Sequence, residues 1–147
     1  MTAPHLVVVA DDLVWATRLE GQGRTLGATV QRISGPNHGA ALTAALATFD
    51  AARGDLVAID TTARSYAPID LVRSAVEAGG RVLALAQHDD PELRATLTAA
   101  GAERVLAYRA LFERGHEILA GLLGLPVPPV GSIDTPSSAT TTEGESR

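Results

Sequence analysis

No cysteine occurs in the 147 residues, and that single absence removes disulfides, thiolate catalysis and every cysteine-containing zinc site. Lysine is missing as well. All twelve basic residues are arginine, and a planar guanidinium is no substitute for a compact, mobile ammonium where a site requires one. The arginines stand singly in a chain of net charge −5, so the basic stripe of a nucleic-acid binder is lacking and no nucleic-acid partner is expected. No apolar run approaches the roughly 18 residues of a membrane span. Met-Thr-Ala-Pro-His enters a strand-length apolar stretch without a basic leader, which sets the expectation of a soluble cytoplasmic protein with no membrane partner.

What is present is enough apolar content, 46%, for one domain with a real core. The organising stretch is Asp55-Leu56-Val57-Ala58-Ile59-Asp60-Thr61-Thr62. Its unbroken apolar run reads as a central parallel strand covered on both faces, ending in a carboxylate at the edge where open α/β folds place their sites. Asp-Thr-Thr after a strand is also ordinary loop-opening chemistry, in which the carboxylate caps backbone N–H groups.

Around it the chain alternates. His5 to Ala10 is a first strand stopping at Asp11-Asp12, and Asp12 can cap a helix over Leu13 to Leu26 that Gly27 ends. Gly21 and Gly23 weaken that helix and mark either a close crossing of the sheet or a loosening end. Thr29 to Ile33 is a short edge strand, and Asn37 to Ala52 an alanine-rich helix closed by Gly54. A third helix carries Ile69, Leu71, Val72, Ala75 and Val76, and a fourth strand spans Arg81 to Ala86. Asp90-Pro91-Glu92 opens a fourth helix with a cap and a proline at its first position. Arg104 to Ala107 is a fifth strand, and Leu111, Ile118, Leu119, Leu122 and Leu123 mark a last helix with Gly115 as a weak point. Five strands alternating with five helices predict a doubly wound parallel sheet, order 2-1-3-4-5, over residues 1–125. From 126 to 147 the chain turns proline-rich and then Ser/Thr-rich, a composition expected to be a disordered tail.

That strand order makes the first and third strands neighbours and brings Asp11, Asp12 and Asp60 to one switch point. Three acids repel unless a cation sits among them, and such a hard oxygen site suits Mg²⁺. At these residues the chain resembles the receiver domain of bacterial response regulators, over roughly residues 5 to 124. Asp11-Asp12 matches the acidic pair that helps bind Mg²⁺, Asp60 matches the phosphate acceptor, and Ala100-Gly101-Ala102 resembles the Ala-Gly-Ala that commonly precedes the last strand. The resemblance implies a flavodoxin-like, CheY-like fold, a signalling role without enzymatic activity, and protein partners such as a histidine kinase or a downstream signalling protein.

The departures matter equally. Receivers end the fourth strand with Thr or Ser and the fifth with Lys-Pro; here Ala86 holds the first position, and Tyr108 the second with Arg109 beside it. The Met-Pro and Gly usual after the acceptor are replaced by Thr61-Thr62-Ala63-Arg64-Ser65-Tyr66-Ala67-Pro68. Losing a hydroxyl and an ammonium costs rate and conformational readout in a reaction driven by positioning and charge neutralisation. The expectation is a degenerate, stand-alone pseudo-receiver, phosphorylated weakly or not at all at Asp60. A rescue would have Arg109 or Arg64 supply the cation, and Thr61 or Thr62 the hydroxyl.

Other residues are read alongside. Trp15 either rims the acid pocket or packs on Leu19; His88-Asp89-Asp90 looks like a ligand set but is better read as a loop histidine and a helix cap. The resemblance places the partner or homodimer face at about Pro91 to Leu125, including Tyr108, Arg109, Leu111 and Phe112. Phe112 reads equally well as core. Two alternatives stay open: a flavodoxin-like protein binding a small molecule or nucleotide in the same crevice, and a structural adaptor that never uses the crevice. Against the first, the loop after the first strand has no Gly-x-Gly-x-x-Gly and carries two acids that would repel a phosphate.

Overall fold

A computed structural model of the chain describes residues 2–34, 38–63, 66–88 and 90–127. Five strands, β1 (His5–Val9), β2 (Thr29–Ile33), β3 (Leu56–Asp60), β4 (Val82–Ala86) and β5 (Arg104–Ala107), form one sheet in the order β2-β1-β3-β4-β5. Every pairing is parallel. Five helices connect them: α1 (Leu13–Leu26), α2 (His38–Leu46), α3 (Pro68–Glu77), α4 (Pro91–Ala99) and α5 (Tyr108–Leu123).

The period-2 geometry of the strands divides the core in two. Leu6, Val8, Leu56, Ala58, Leu83 and Leu85 face α1 and α5, whereas Val7, Val9, Val57, Ile59, Val82 and Ala84 face α2, α3 and α4. Both faces being covered, β1, β3 and β4 need no polar alternation, which explains their unbroken apolar runs. Gly23 sits where α1 crosses the sheet, since a Cβ there would meet Leu6 and Val30, but Gly21 has open space beside it.

Two helices depart from expectation. The predicted Asn37–Ala52 helix stops at Leu46, and a single 3₁₀ turn, Ala51–Arg53, follows. The cause is Asp50, whose Oδ1 accepts from the Ala52 and Arg53 N–H groups and so starts a new turn instead of continuing the old one. Gly54 ends it with φ +99°, where any Cβ would also overlap the Leu123 carbonyl. The last helix begins at Tyr108 and breaks at Arg114 (φ −135°, ψ 28°), next to the weak point Gly115. Of the expected tail, 128–147 lies outside the described residues.

One polar group fixes the lower edge of the sheet. Asp55 is fully buried, and its carboxylate accepts from His5 N (2.8 Å), Asp50 N (2.9 Å), Arg53 Nε (2.9 Å) and Arg53 Nη2 (2.6 Å). Burial pushes its pKa up, but the hydrogen bonds from Arg53, His5 and Asp50 and the Arg53 charge outweigh it and hold the group at about 2, below the ordinary 3.8. A carboxylate with a depressed folded pKa contributes stability that is fully present above its unfolded value and lost as pH falls through the folded one. Urea unfolding is therefore expected to show a loss of stability from pH 4 down to about 2 that is absent in Asp55→Ala. At pH 7 that variant should be destabilised by about 3 kcal/mol, since it strands buried donors.

Candidate functional site

At the opposite end of β3 a second carboxylate is buried on very different terms. Asp60 is 1% exposed. Its Oδ1 accepts from Thr62 N (2.9 Å) and Thr62 Oγ1 (2.7 Å), an Asx-type turn that opens the following loop. Its Oδ2 is buried with no hydrogen-bond partner among the described residues. The loop-capping geometry and the strand-end position anticipated from Asp-Thr-Thr are thus both present in one residue.

Tyr108 closes the site from the α5 side. It is 2% exposed, and its ring stacks on Trp15 with centroids 4.1 Å apart and planes 18° from parallel. Burial raises its phenol well above the ordinary range, and the charge of Asp60 and contact with that carboxylate raise it further. The two groups face each other without meeting hydrogen-bond geometry, for the Tyr108 hydroxyl is itself a buried group with no partner among the described residues. Trp15, left open between rim and core, packs on Tyr108.

Tyr66 braces the backbone that carries Asp60. Its hydroxyl lies 3.0 Å from the Val9 carbonyl and 2.6 Å from the Asp60 carbonyl, so one phenol proton ties together the C-terminal ends of β1 and β3. Burial raises its pKa above the ordinary value, followed by the charges of Asp60 and Asp11. Nothing in the sequence around Tyr66 announced this role; an isolated tyrosine in a polar loop was the only signal. The His38 ring packs on it with a centroid distance of 4.9 Å.

The three acids do not gather as expected. Asp12 Oδ1 is spent on the Val14 and Trp15 N–H groups at the start of α1, Asp11 is exposed at the end of β1, and Asp60 is enclosed. Among the described residues no three His, Cys, Asp or Glu side chains come together in a group that could hold a metal ion. As arranged, the donors do not fit the Mg²⁺ site. One oxygen each of Asp12 and Asp60 is taken by N–H groups at a chain turn, as in ordinary capping.

The substitute chemistry is also redirected. Arg109 is 85% exposed at its side chain and pairs with Glu113 (3.2 Å), one helical turn on, so it does not reach the enclosed Asp60. Arg64 lies outside the described residues. Thr61 gives both its N–H and its hydroxyl to the Leu85 carbonyl, leaving only Thr62 in contact with Asp60. Ala86 is buried at the end of β4 and offers no hydroxyl. Asp90 caps α4 through Glu92 N and Leu93 N, the bland alternative for that cluster, and Asp89 lies outside the described residues.

The expected interface splits. Tyr108 and Leu111 are core residues, turned inward because α5 packs against α1, and they are corrected from surface contacts to buried ones. Arg109 and Phe112 remain outside; Phe112 is 59% exposed with the Arg18 guanidinium 4.3 Å from its ring centroid, so the core reading of Phe112 is set aside.

Sheet order, helix placement and the acid at the end of β3 define the CheY-like receiver fold. No family model matches the chain, and no curated protein matches it. Solved structures do. A response regulator from Thermotoga maritima is 19% identical with a TM-score of 0.66, the match covering 84% of this chain and 99% of that one. A two-component response regulator from Clostridium difficile is 9% identical with a TM-score of 0.69, covering 82% and 96%. A Burkholderia pseudomallei response regulator, solved with a phosphorylated aspartic acid, calcium ion and citrate, is 23% identical with a TM-score of 0.63, covering 81% of this chain and 66% of that one. At these identities the likeness is one of fold. No described helix is long and apolar enough to cross a membrane.

Alkaline titration followed by tyrosinate absorbance is expected to show neither phenol ionising in the folded protein at pH 10. Both pKa values being raised, their contribution to stability is present below the unfolded value near 10 and lost as pH climbs above it. Tyr66→Phe, which releases the Val9 and Asp60 carbonyls, should cost about 1 kcal/mol in urea unfolding.

Proposed function

We propose that this chain works as a pseudo-receiver, a non-enzymatic signalling domain that acts through protein contacts without phosphorylation of Asp60. The observation that carries the reading is the enclosure of Asp60: one oxygen is committed to Thr62, the other is buried without a partner among the described residues, and Tyr108 lies against the carboxylate. Phosphoryl transfer to a carboxylate needs an in-line approach to a free oxygen and positive charge around the incoming group. Here the approach is blocked by an aromatic ring, and a neutral phenol stands where receivers carry an ammonium. Ala86 adds no donor on the β4 side.

On this reading the domain's partner is a protein, either a histidine kinase or a downstream signalling protein, and the contact uses the outer surface of α5 at Arg109 and Phe112. A homodimer through the same surface is the simplest case. Light scattering at high concentration should then give twice the monomer mass, with Phe112→Asp reverting it to monomer; a monomer throughout would remove self-association.

The decisive experiment is intact mass of the protein after incubation with Mg²⁺ and acetyl phosphate, beside Asp60→Asn and an ordinary receiver as positive control. The expected result is no adduct on this chain while the control is modified. A phosphate adduct lost in Asp60→Asn would overturn the reading.

A further inference from the structure

Three buried side-chain atoms lack a hydrogen-bond partner among the described residues, Gln22 Oε1, Asp60 Oδ2 and the Tyr108 hydroxyl, and all three bear on the first half of α5. Tyr108 begins that half and faces Asp60. Gln22, reaching across from α1, donates its Nε2 to the Leu111 carbonyl (3.3 Å) and fills the notch at Gly115, where any Cβ would overlap its amide. Buried polar groups are almost always paired, so one unpaired group on this short segment and two more on α1 and β3 beside it mark a place where the closed packing is imperfect.

The same segment is mechanically separable from the rest of its helix. Arg114 has left the helical region, which breaks α5 between Tyr108–Glu113 and the part that follows. Beyond the break, Ile118, Leu119, Ala120 and Leu123 are all buried and anchor the helix to α1 and the sheet. Before it, only Tyr108 and Leu111 are buried, while Arg109, Phe112, Glu113 and Arg114 face solvent.

We infer that residues 108–114 form a lid over Asp60, hinged at Arg114 and latched by the stack of Tyr108 on Trp15, and that its opening uncovers Asp60 as an accessible carboxylate. The inference rests on the reading of Asp60 as a masked group and says what masks it. Tyr108 is a positioning residue in this device, and it places the chain's only tryptophan as a built-in reporter of the latch.

The test is covalent labelling of carboxyl groups in the full chain with a water-soluble carbodiimide and an amine, mapped by peptide mass spectrometry; it needs neither metal nor phosphodonor. Asp70, whose side chain is 76% exposed, sets the open limit, and the fully buried Asp55 reports global unfolding. Tyr108→Ala is expected to raise Asp60 labelling roughly tenfold with Asp55 still protected, and Tyr108→Phe, which keeps the stack, to leave Asp60 protected. Asp60 labelling unchanged in Tyr108→Ala, with Asp55 protected, would overturn the lid. Should Tyr108→Ala label Asp55 as well, hydrogen exchange of the wild type decides. Amides of 109–113 exchanging roughly tenfold or more faster than those of 118–123 support the hinge, and equal protection across Arg114 overturns it. A phosphate adduct on the wild type would end the phosphorylation-independent reading and leave the labelling result to judge the lid by itself.

Discussion

β3 is buried along its whole length and on both faces, and that constraint governs the rest of the molecule. A strand with no solvent-facing side can carry polar groups only at its ends, where each must find partners inside the protein. Asp55 at the entry to β3 finds four donor contacts, from His5, Asp50 and both arms of the Arg53 fork, and in accepting them it ties β1, the 3₁₀ turn and β3 into one corner. Asp60 at the exit finds one residue among those described, Thr62, for one oxygen. Two aspartates five residues apart, equally enclosed, are thus distinguished by how completely they are satisfied. The satisfied one is a structural clamp, and the other keeps a buried oxygen without a partner among the described residues.

Among the described residues that second carboxylate lies beside two phenols. Tyr66 secures the backbone on which Asp60 sits by bridging the ends of β1 and β3, and Tyr108 lies against the side chain. Neither neutralises charge. An ammonium at the end of β5 would do so and would draw the carboxylate outward; a stacked tyrosine excludes water and leaves the carboxylate enclosed. The site as it stands is an enclosed carboxylate beside two buried phenols, with the buried Ala86 offering no hydroxyl at the end of β4.

Much of this was legible in the residues. Unbroken apolar runs require cover on both faces, so the alternation of strands and helices determined the doubly wound sheet. The ends of α1 and α4 followed from Asp12, Gly27 and Asp90-Pro91, because capping is local chemistry. Two of the departures share one origin. Asp50 ends α2 early and Asp12 is withdrawn from the acid cluster, both because a short carboxylate side chain prefers the nearest unpaired N–H to a distant partner. Tyr108 and Leu111 were placed on the surface by analogy of position, and their burial comes from the packing of α5 on α1.

The sequence by itself determined the class of fold, the position of Asp60 at the edge of the sheet and the absence of the lysine, since composition, hydrophobic period and capping are properties of short stretches. Only the tertiary structure decided that Asp60 is buried beside Tyr108, that Trp15 stacks on that ring, that Tyr66 bridges β1 and β3, and that Arg109 turns to Glu113. Each of those contacts joins elements far apart in the chain or chooses between competing partners. Such choices depend on burial and mutual distance, which no local pattern carries.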